Sequence, residues 1–322
     1  MAMSESDSGA AKKMTSGVID THSHMFPPAW APQGRMPQEM FDFDALIARQ
    51  DEAGVALSII SDPHIWYGDL DPASIERSRE YNDFAASIAA GRPERALALG
   101  TVCPWRGPEH VAEARRAVTE LGLPGLAIAS SDRGRYLDDI PTEFWTLIED
   151  LDVAVFVHPG PTVIGQELMG SYRLGEVCGR PLDTTVTLAR FILMGFMERF
   201  PNLKLLCAHA GGAICTVADR LDFGHELRHY APLGPWGEVE LSQPPSAYVS
   251  KLYLDTVTYG PGPLRLALER VSARHLLYGS DNPPVPFPLS RTIGIVRGLG
   301  LTPADEARVL RGNALDLFKL PS

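Results

Sequence analysis

The chain of 322 residues is short of cysteine and of positive charge, and it has no long apolar run. Its four cysteines, Cys103, Cys178, Cys207 and Cys215, are widely spaced with no Cys-x-x-Cys pair. That spacing argues against a zinc knuckle or a dithiol redox motif and fits a reduced, cytoplasmic protein. The 29 basic residues stand against 40 acidic ones, a net charge of -11 with no basic run. Nucleic acid and anionic membrane are therefore not expected as partners, and an anionic substrate would need a local positive site. No window reaches the roughly 18 apolar residues of a membrane span. Residues 1–16 are small and polar, without the apolar centre of a signal peptide, and read as a disordered tail.

What is present is an ordinary globular composition, 45% hydrophobic and 21% charged, with ample material for a large core. Short apolar runs bounded by turn residues predict strands over 18–24, 55–61, 96–102, 125–129, 153–158, 203–209, 251–257 and 275–281. Between them, helical patterns fall near 44–53, 73–90, 109–121, 142–151, 182–200, from 211 onward, and 264–271, with a closing helix near 304–318. Gly54 supplies the stop of the first. Eight apolar strands alternating with helices predict a parallel sheet covered on both sides, and eight is the number that closes a (β/α)8 TIM barrel. Residues 17–322 are expected to form one such domain. Long loops rich in Pro and Gly follow strands one, five, six and eight, at the catalytic end of this fold.

The organising stretch is Val18-Ile-Asp-Thr-His-Ser-His24, which places His22 and His24 on one side of one strand. His158, His209 and Asp281 also stand at the C-terminal ends of predicted strands. A closed barrel brings those ends to one mouth, so side chains scattered along the chain become neighbours. His22, His24, His158 and Asp281 then make a shell of three nitrogens and one oxygen, suited to zinc or another borderline divalent ion. His209 is the spare imidazole, and beside such an ion a histidine is the natural proton carrier. Asp20 reads as a buried carboxylate holding neighbouring backbone or a ligand imidazole. Cys207 shares the expected inward parity of His209 and reads as barrel filling, and His275, at the far end of its strand, reads as structural. His64, Trp66, Tyr67 and Tyr259 follow strands and stand where they could wall the mouth, although packing within turns is the simpler account.

The segments Ile-Asp-Thr-His-Ser-His, Val-His-Pro, Glu-Arg-Phe-Pro-Asn-Leu-Lys-Leu-Leu-Cys-Ala-His-Ala-Gly-Gly, Tyr-Gly-Ser-Asp-Asn-Pro and Arg-Gly-Asn-Ala-Leu-Asp-Leu-Phe occur in this order. Together they resemble the amidohydrolase superfamily, in the branch related to aminocarboxymuconate-semialdehyde decarboxylase. The resemblance implies metal ligation by His22, His24, His158 and Asp281 and acid/base work by His209. Strand four ends Ala127-Ile-Ala-Ser-Ser and carries no lysine of the kind that bridges two metals in binuclear members, which implies one ion per chain, zinc first and manganese second. It also implies a homodimer in which Arg228 reaches a substrate carboxylate across the subunit boundary, with Arg35 in the loop after strand one as a second anion contact. The aromatic residue that follows the strand-five His-Pro in that family is Gly160 here.

The activity implied is metal-dependent, non-oxidative decarboxylation of an unsaturated or aromatic hydroxycarboxylic acid, with the proton coming from His209 or Asp281. The alternative is a hydrolase or hydratase acting on a lactone, amide or activated double bond at the same mononuclear site.

Overall fold

A computed structural model describes residues 17–31, 38–62, 74–230 and 239–321. The tail 1–16, Arg35, His64, Trp66 and Tyr67 lie outside the described residues. All eight expected strands are present. β1 (Val18–His24) pairs in parallel with β2 (Val55–Ser61), and β2 with the first piece of β3 (Ala96–Ala98). The second piece of β3 (Gly100–Thr101) pairs with β4 (Gly125–Ala129), and the ladder continues through β5 (Ala154–His158), β6 (Lys204–Cys207), β7 (Tyr253–Asp255) and β8 (Leu276–Leu277). The ring closes beyond β8: Thr21 N donates to Tyr278 O at 2.9 Å, Asp281 N to His22 O at 2.8 Å, and His24 N to Asn282 O at 2.8 Å. The architecture is a (β/α)8 barrel.

Its strands read as near-continuous apolar runs because both of their faces are buried. Leu57, Ile59, Ala127, Phe156, Leu206 and Leu277 pack together inside the barrel, with Leu317 and Phe318 of the closing segment joining them. The alternate residues Ile60, Leu126, Ile128, Val155, Val157, Leu205 and Cys207 face the helices. Cys207 therefore packs outward, not into the barrel as its parity with His209 suggested, because the chain turns between the two residues.

Helices α1 (Phe43–Ala53), α2 (Ile75–Gly91), α3 (Pro108–Thr119), α4 (Thr142–Leu151), α5 (Arg180–Leu193), α6 (Ile214–Glu226) and α7 (Pro261–Val271) follow successive strands. Asp42 caps α1 by accepting from Asp44 N and Ala45 N, and Gly54 ends it in the left-handed conformation. The helix expected over 182–200 breaks at Gly195, whose left-handed φ of 72° starts the separate turn Phe196–Arg199. Two elements without a strong sequence signal appear as well: α8 (Leu289–Arg297) and the short helix Pro245–Val249. Among the described residues no helix is long and apolar enough to cross a membrane.

One glycine fixes how α5 meets the turn after β6. Gly212 lies at φ 67°, ψ -120°, a region that only glycine enters readily. A Cβ there would fall 2.1 Å from the Pro181 carbonyl oxygen and 2.7 Å from Thr185 Oγ1. Gly212→Ala is therefore expected to destabilise the fold by about 2–4 kcal/mol, combining backbone strain with overpacking. The urea midpoint measures this, and an unchanged midpoint would contradict the packing described.

Candidate metal centre

Each candidate ligand is delivered by a strand end. His22 and His24 close β1 with their rings edge to face, centroids 5.0 Å apart. The His158 ring, at the end of β5, lies 5.0 Å from both. His209 stands just beyond β6 and Asp281 just beyond β8, and both are held at positive φ, 55° and 59°. Such backbone is strained for a non-glycine residue and persists where its surroundings over-determine it. Phe156, one inward position below His158, forms the floor, 5.0 Å from the His22 ring. His22, His24, His158 and Asp281 are buried, and the His209 side chain is largely so.

The hydrogen bonds decide which nitrogen of each ring faces the centre. His22 Nδ1 lies 2.6 Å from Asp255 Oδ2, His24 Nδ1 2.9 Å from Ser61 O, and His158 Nδ1 2.9 Å from Pro159 O. With a carbonyl or carboxylate opposite, each Nδ1 carries a proton and donates it, so each Nε2 is the nitrogen aimed inward. There they converge: His22 Nε2 is 3.1 Å from His24 Nε2, and Asp281 Oδ1 is 3.4 Å and 3.2 Å from these two. His158 Nε2 is buried with no hydrogen-bond partner. His22, His158, His209 and Asp281 offer ligand atoms that all lie within 4.8 Å of one another. Donors about 2.1 Å from a tetrahedral ion stand about 3.4 Å apart, close to the spacing seen here. An orphaned imidazole nitrogen beside two facing Nε2 atoms and a carboxylate fits one divalent cation, and the mouth is a single divalent-metal site.

Electrostatics give the same picture. Burial pushes the His22 imidazolium down, but Asp281 and Asp255 more than reverse this and raise it to about 10. Burial lowers His24, and burial with the neighbouring imidazoles lowers His158 well below the ordinary value, so both are neutral donors. Burial disfavours the Asp281 charge, yet His22, His209 and His24 hold this carboxyl well below the usual range. Without the ion, a proton on His22 fills the place of the missing positive charge.

All five histidine and aspartate candidates are thus brought together. Arg228 is not: within this chain its Nη1 donates to His225 O at 2.8 Å, and it makes no hydrogen bond or ion pair with the cluster among the described residues. Asp20 holds backbone, accepting from His22 N and Ser280 N at 3.1 Å each and from Ser280 Oγ. Two further participants emerge at the mouth. Asp255, at the end of β7, grips His22 through Oδ2 and accepts Ala210 N at 2.9 Å through Oδ1. The signal was available, since Asp255 occupies the same strand-end position as the ligands. Tyr259, expected to pack in a turn or wall the mouth, donates its hydroxyl to Asp281 Oδ2 at 3.2 Å.

A cation must displace the His22 proton. His22 holds that proton below about pH 10, so metal binding between pH 6 and 9 is expected to release about one proton per ion, with apparent affinity rising about tenfold per pH unit. Calorimetric titration of metal-free protein with Mn²⁺ in two buffers of different ionisation enthalpy counts the protons. An affinity independent of pH would rule out a protonated His22 in the metal-free site.

Known proteins share this architecture. The chain is 27% identical over 289 residues to 2-amino-3-carboxymuconate-6-semialdehyde decarboxylase of Dictyostelium discoideum, covering 87% of this chain and 77% of that protein. The crystal structure of 5-carboxyvanillate decarboxylase from Sphingomonas paucimobilis superposes with a TM-score of 0.84 at 24% identity, over 95% of this chain and 99% of the other. A dihydroxybenzoic acid decarboxylase from Polaromonas, solved with bound manganese and the inhibitor 2-nitroresorcinol, superposes with a TM-score of 0.76 at 21% identity, over 95% and 97%. The sequence profile of the amidohydrolase family matches residues 19–320, from the first histidine strand through the closing helix, and this chain belongs to that family.

Proposed function

We propose that this protein is a metal-dependent, non-oxidative decarboxylase of an unsaturated or aromatic hydroxycarboxylic acid, with 17–322 as its one catalytic domain. In this reading His22, His24, His158 and Asp281 hold the ion, and His209 is the acid/base. The observation that carries it is the state of the imidazoles. Three have Nδ1 committed to an acceptor, as ligands require, whereas His209 Nδ1 is buried without a partner and its Nε2 lies 3.5 Å from Asp281 Oδ2. A ring with no pinned tautomer is the one suited to take up and give back a proton. The decarboxylase names of the relatives support the reaction class.

When bound, a divalent ion supplies Lewis-acid polarisation of a substrate oxygen. The remaining work falls to the chain. His209, or Asp281 through Oδ2, delivers a proton to the carbon that bears the carboxylate; the bond from that carbon to the carboxylate breaks, its electron pair returns to the unsaturated system, and carbon dioxide leaves. Three imidazoles and a carboxylate suit zinc by affinity, while the manganese in the Polaromonas structure favours manganese as the working ion. Elemental analysis of protein purified without chelator distinguishes them.

Self-association as a homodimer is part of the reading. Leu168, Tyr172, Val177, Phe223 and Tyr230 are large apolar residues with 61–91% of their surface exposed. Leu168, Tyr172 and Val177 lie in the segment leading into α5, Phe223 in the last turn of α6 and Tyr230 just beyond it, the latter two flanking Arg228. Exposed apolar residues of this size favour a partner surface, and a boundary there would let Arg228 serve the neighbouring site. Arg35 remains the second proposed anion contact. The four cysteines are free, in keeping with a cytoplasmic location.

Mass-spectrometric detection of CO₂ from a panel of hydroxybenzoates and muconate semialdehydes tests the reaction, and solvent ¹⁸O in the product would point to hydrolysis or hydration instead. His209→Ala is expected to lower kcat by about 10²- to 10⁴-fold with metal content unchanged. Loss of metal would make His209 a ligand. If Arg228 acts across the boundary, mixing inactive Arg228→Ala with inactive His209→Ala protein should restore part of the activity through hybrid dimers, and a demonstrably mixed but inactive dimer would exclude it.

A further inference from the structure

A charge count at the mouth leaves a place for one more cation. With a divalent ion bound and the histidines neutral, the buried carboxylates of Asp255 and Asp281 cancel the ion's charge. An anionic substrate entering this largely enclosed space then needs a positive partner, since an uncompensated buried charge is costly. Among the described residues of this chain, Arg228 hydrogen-bonds only the His225 carbonyl.

Arg180 is placed to supply the charge. It is the first residue of α5 and follows the loop after β5, so it lies at the catalytic end. The next residue, Pro181, presses its carbonyl against Gly212, three positions beyond His209, close enough that a Cβ there would sit 2.1 Å away. Thr185 Oγ1, one turn further along α5, accepts Ala213 N at 2.7 Å. The start of α5 is therefore docked on the turn that carries His209. Burial and the Asp281 charge push the Tyr259 phenol above the ordinary value, and the Arg180 guanidinium is near enough to oppose them. The same phenol touches Asp281 Oδ2 at 3.2 Å. Arg180 thus opens a helix docked on the His209 turn, within electrostatic reach of the Tyr259 phenol. Its side chain is half-buried, and among the described residues no carboxylate pairs with it, whereas Arg106, Arg116, Arg190 and Arg270 all hold aspartates.

We propose that Arg180 binds the carboxylate of an unsaturated or aromatic acid substrate from within the same subunit, beside the Tyr259 hydroxyl. The assignment rests on the substrate class proposed above, though not on the fate of the carboxylate. A guanidinium presents two parallel N–H groups that match a carboxylate, so the planar fork matters as well as the charge. Arg180 is a binding residue: its loss should act mainly on KM and on the affinity for acids, and little on groups that carry no charge.

The test uses metal-loaded wild-type, Arg180→Met and Arg180→Lys protein, titrated calorimetrically with salicylate and trans,trans-muconate and with their uncharged amides. Wild type is expected to prefer each acid to its amide. Arg180→Met should bind the acids about ten- to a hundredfold more weakly and the amides as before, with Arg180→Lys between, and metal content and the urea midpoint should be unchanged. Equal binding of the acids by wild type and Arg180→Met overturns the proposal, as does parallel loss of acids and amides, or a wild type that binds neither acid or does not prefer acids. The CO₂ assay separates this from the reaction itself. Acid binding that depends on Arg180 with no CO₂ from any acid keeps the assignment and removes the decarboxylase reading. CO₂ release with an unchanged KM in Arg180→Met does the reverse.

Discussion

The mouth of the barrel depends on one buried carboxylate, Asp255. Its Oδ2 takes the Nδ1 proton of His22, and its Oδ1 accepts the backbone N–H groups of Ala210 and Val257. One side chain on β7 thereby fixes the tautomer of a β1 ligand and the path of the turn that carries His209. Burial alone would push this carboxyl up, yet the hydrogen bonds from His22 and Ala210 and the nearby His209 ring hold it below the usual range, so it stays charged in the barrel interior. A buried charge with good partners contributes organisation more than stability, and removing one partner strands the other. The paired His22 is in turn a better donor to a cation than an imidazole without a carboxylate behind it.

Closure of the ring and construction of the site are one event. Only Leu276 and Leu277 of β8 lie in the ladder, while residues 278–282 run beside β1 and exchange hydrogen bonds with Thr21, His22 and His24. Asp20 ties the same seam by accepting from Ser280 N and Ser280 Oγ. Asp281 is therefore set against His22 and His24 by the backbone that seals the barrel. The candidate ligands are gathered before any ion arrives, so binding does not have to meet the entropic cost of collecting them.

How much of this was legible in the sequence varied with how local the cause was. The extents of β1, β2, β4 and α4 were read correctly to the residue, since each is an apolar or amphipathic run between strong turn signals. The five strand-end side chains were legible because a barrel converts position along each strand into proximity. The break at Gly195 was missed, since one glycine within a helical pattern is tolerated as often as it stops the helix. Cys207 was placed on the wrong face because its parity was counted back from His209, and the alternation lapses where β6 ends at Cys207 and the chain enters a left-handed turn. Asp255 carried the strand-end signal of the other candidates and was passed over, whereas Arg180 was invisible for a different reason. What marks Arg180 is what it fails to touch across the mouth, and no local pattern encodes that.

Part of the backbone strain follows from the same geometry. His209, Ala210, Tyr259 and Asp281 all sit at positive φ without being glycine, and all four lie at the mouth. Each such residue costs about 1–3 kcal/mol relative to relaxed backbone. A smooth strand-to-helix turn would avoid that cost but would aim its side chain along the barrel wall. Here the left-handed turns after β6, β7 and β8 bend the chain so that an imidazole, a phenol and a carboxylate face one another. The contacts that result, Ala210 N on Asp255 and Tyr259 Oη on Asp281, are the ones that hold the strained turns in place. Strain and site support each other: relaxing any one of these turns would break a polar contact that holds the mouth together.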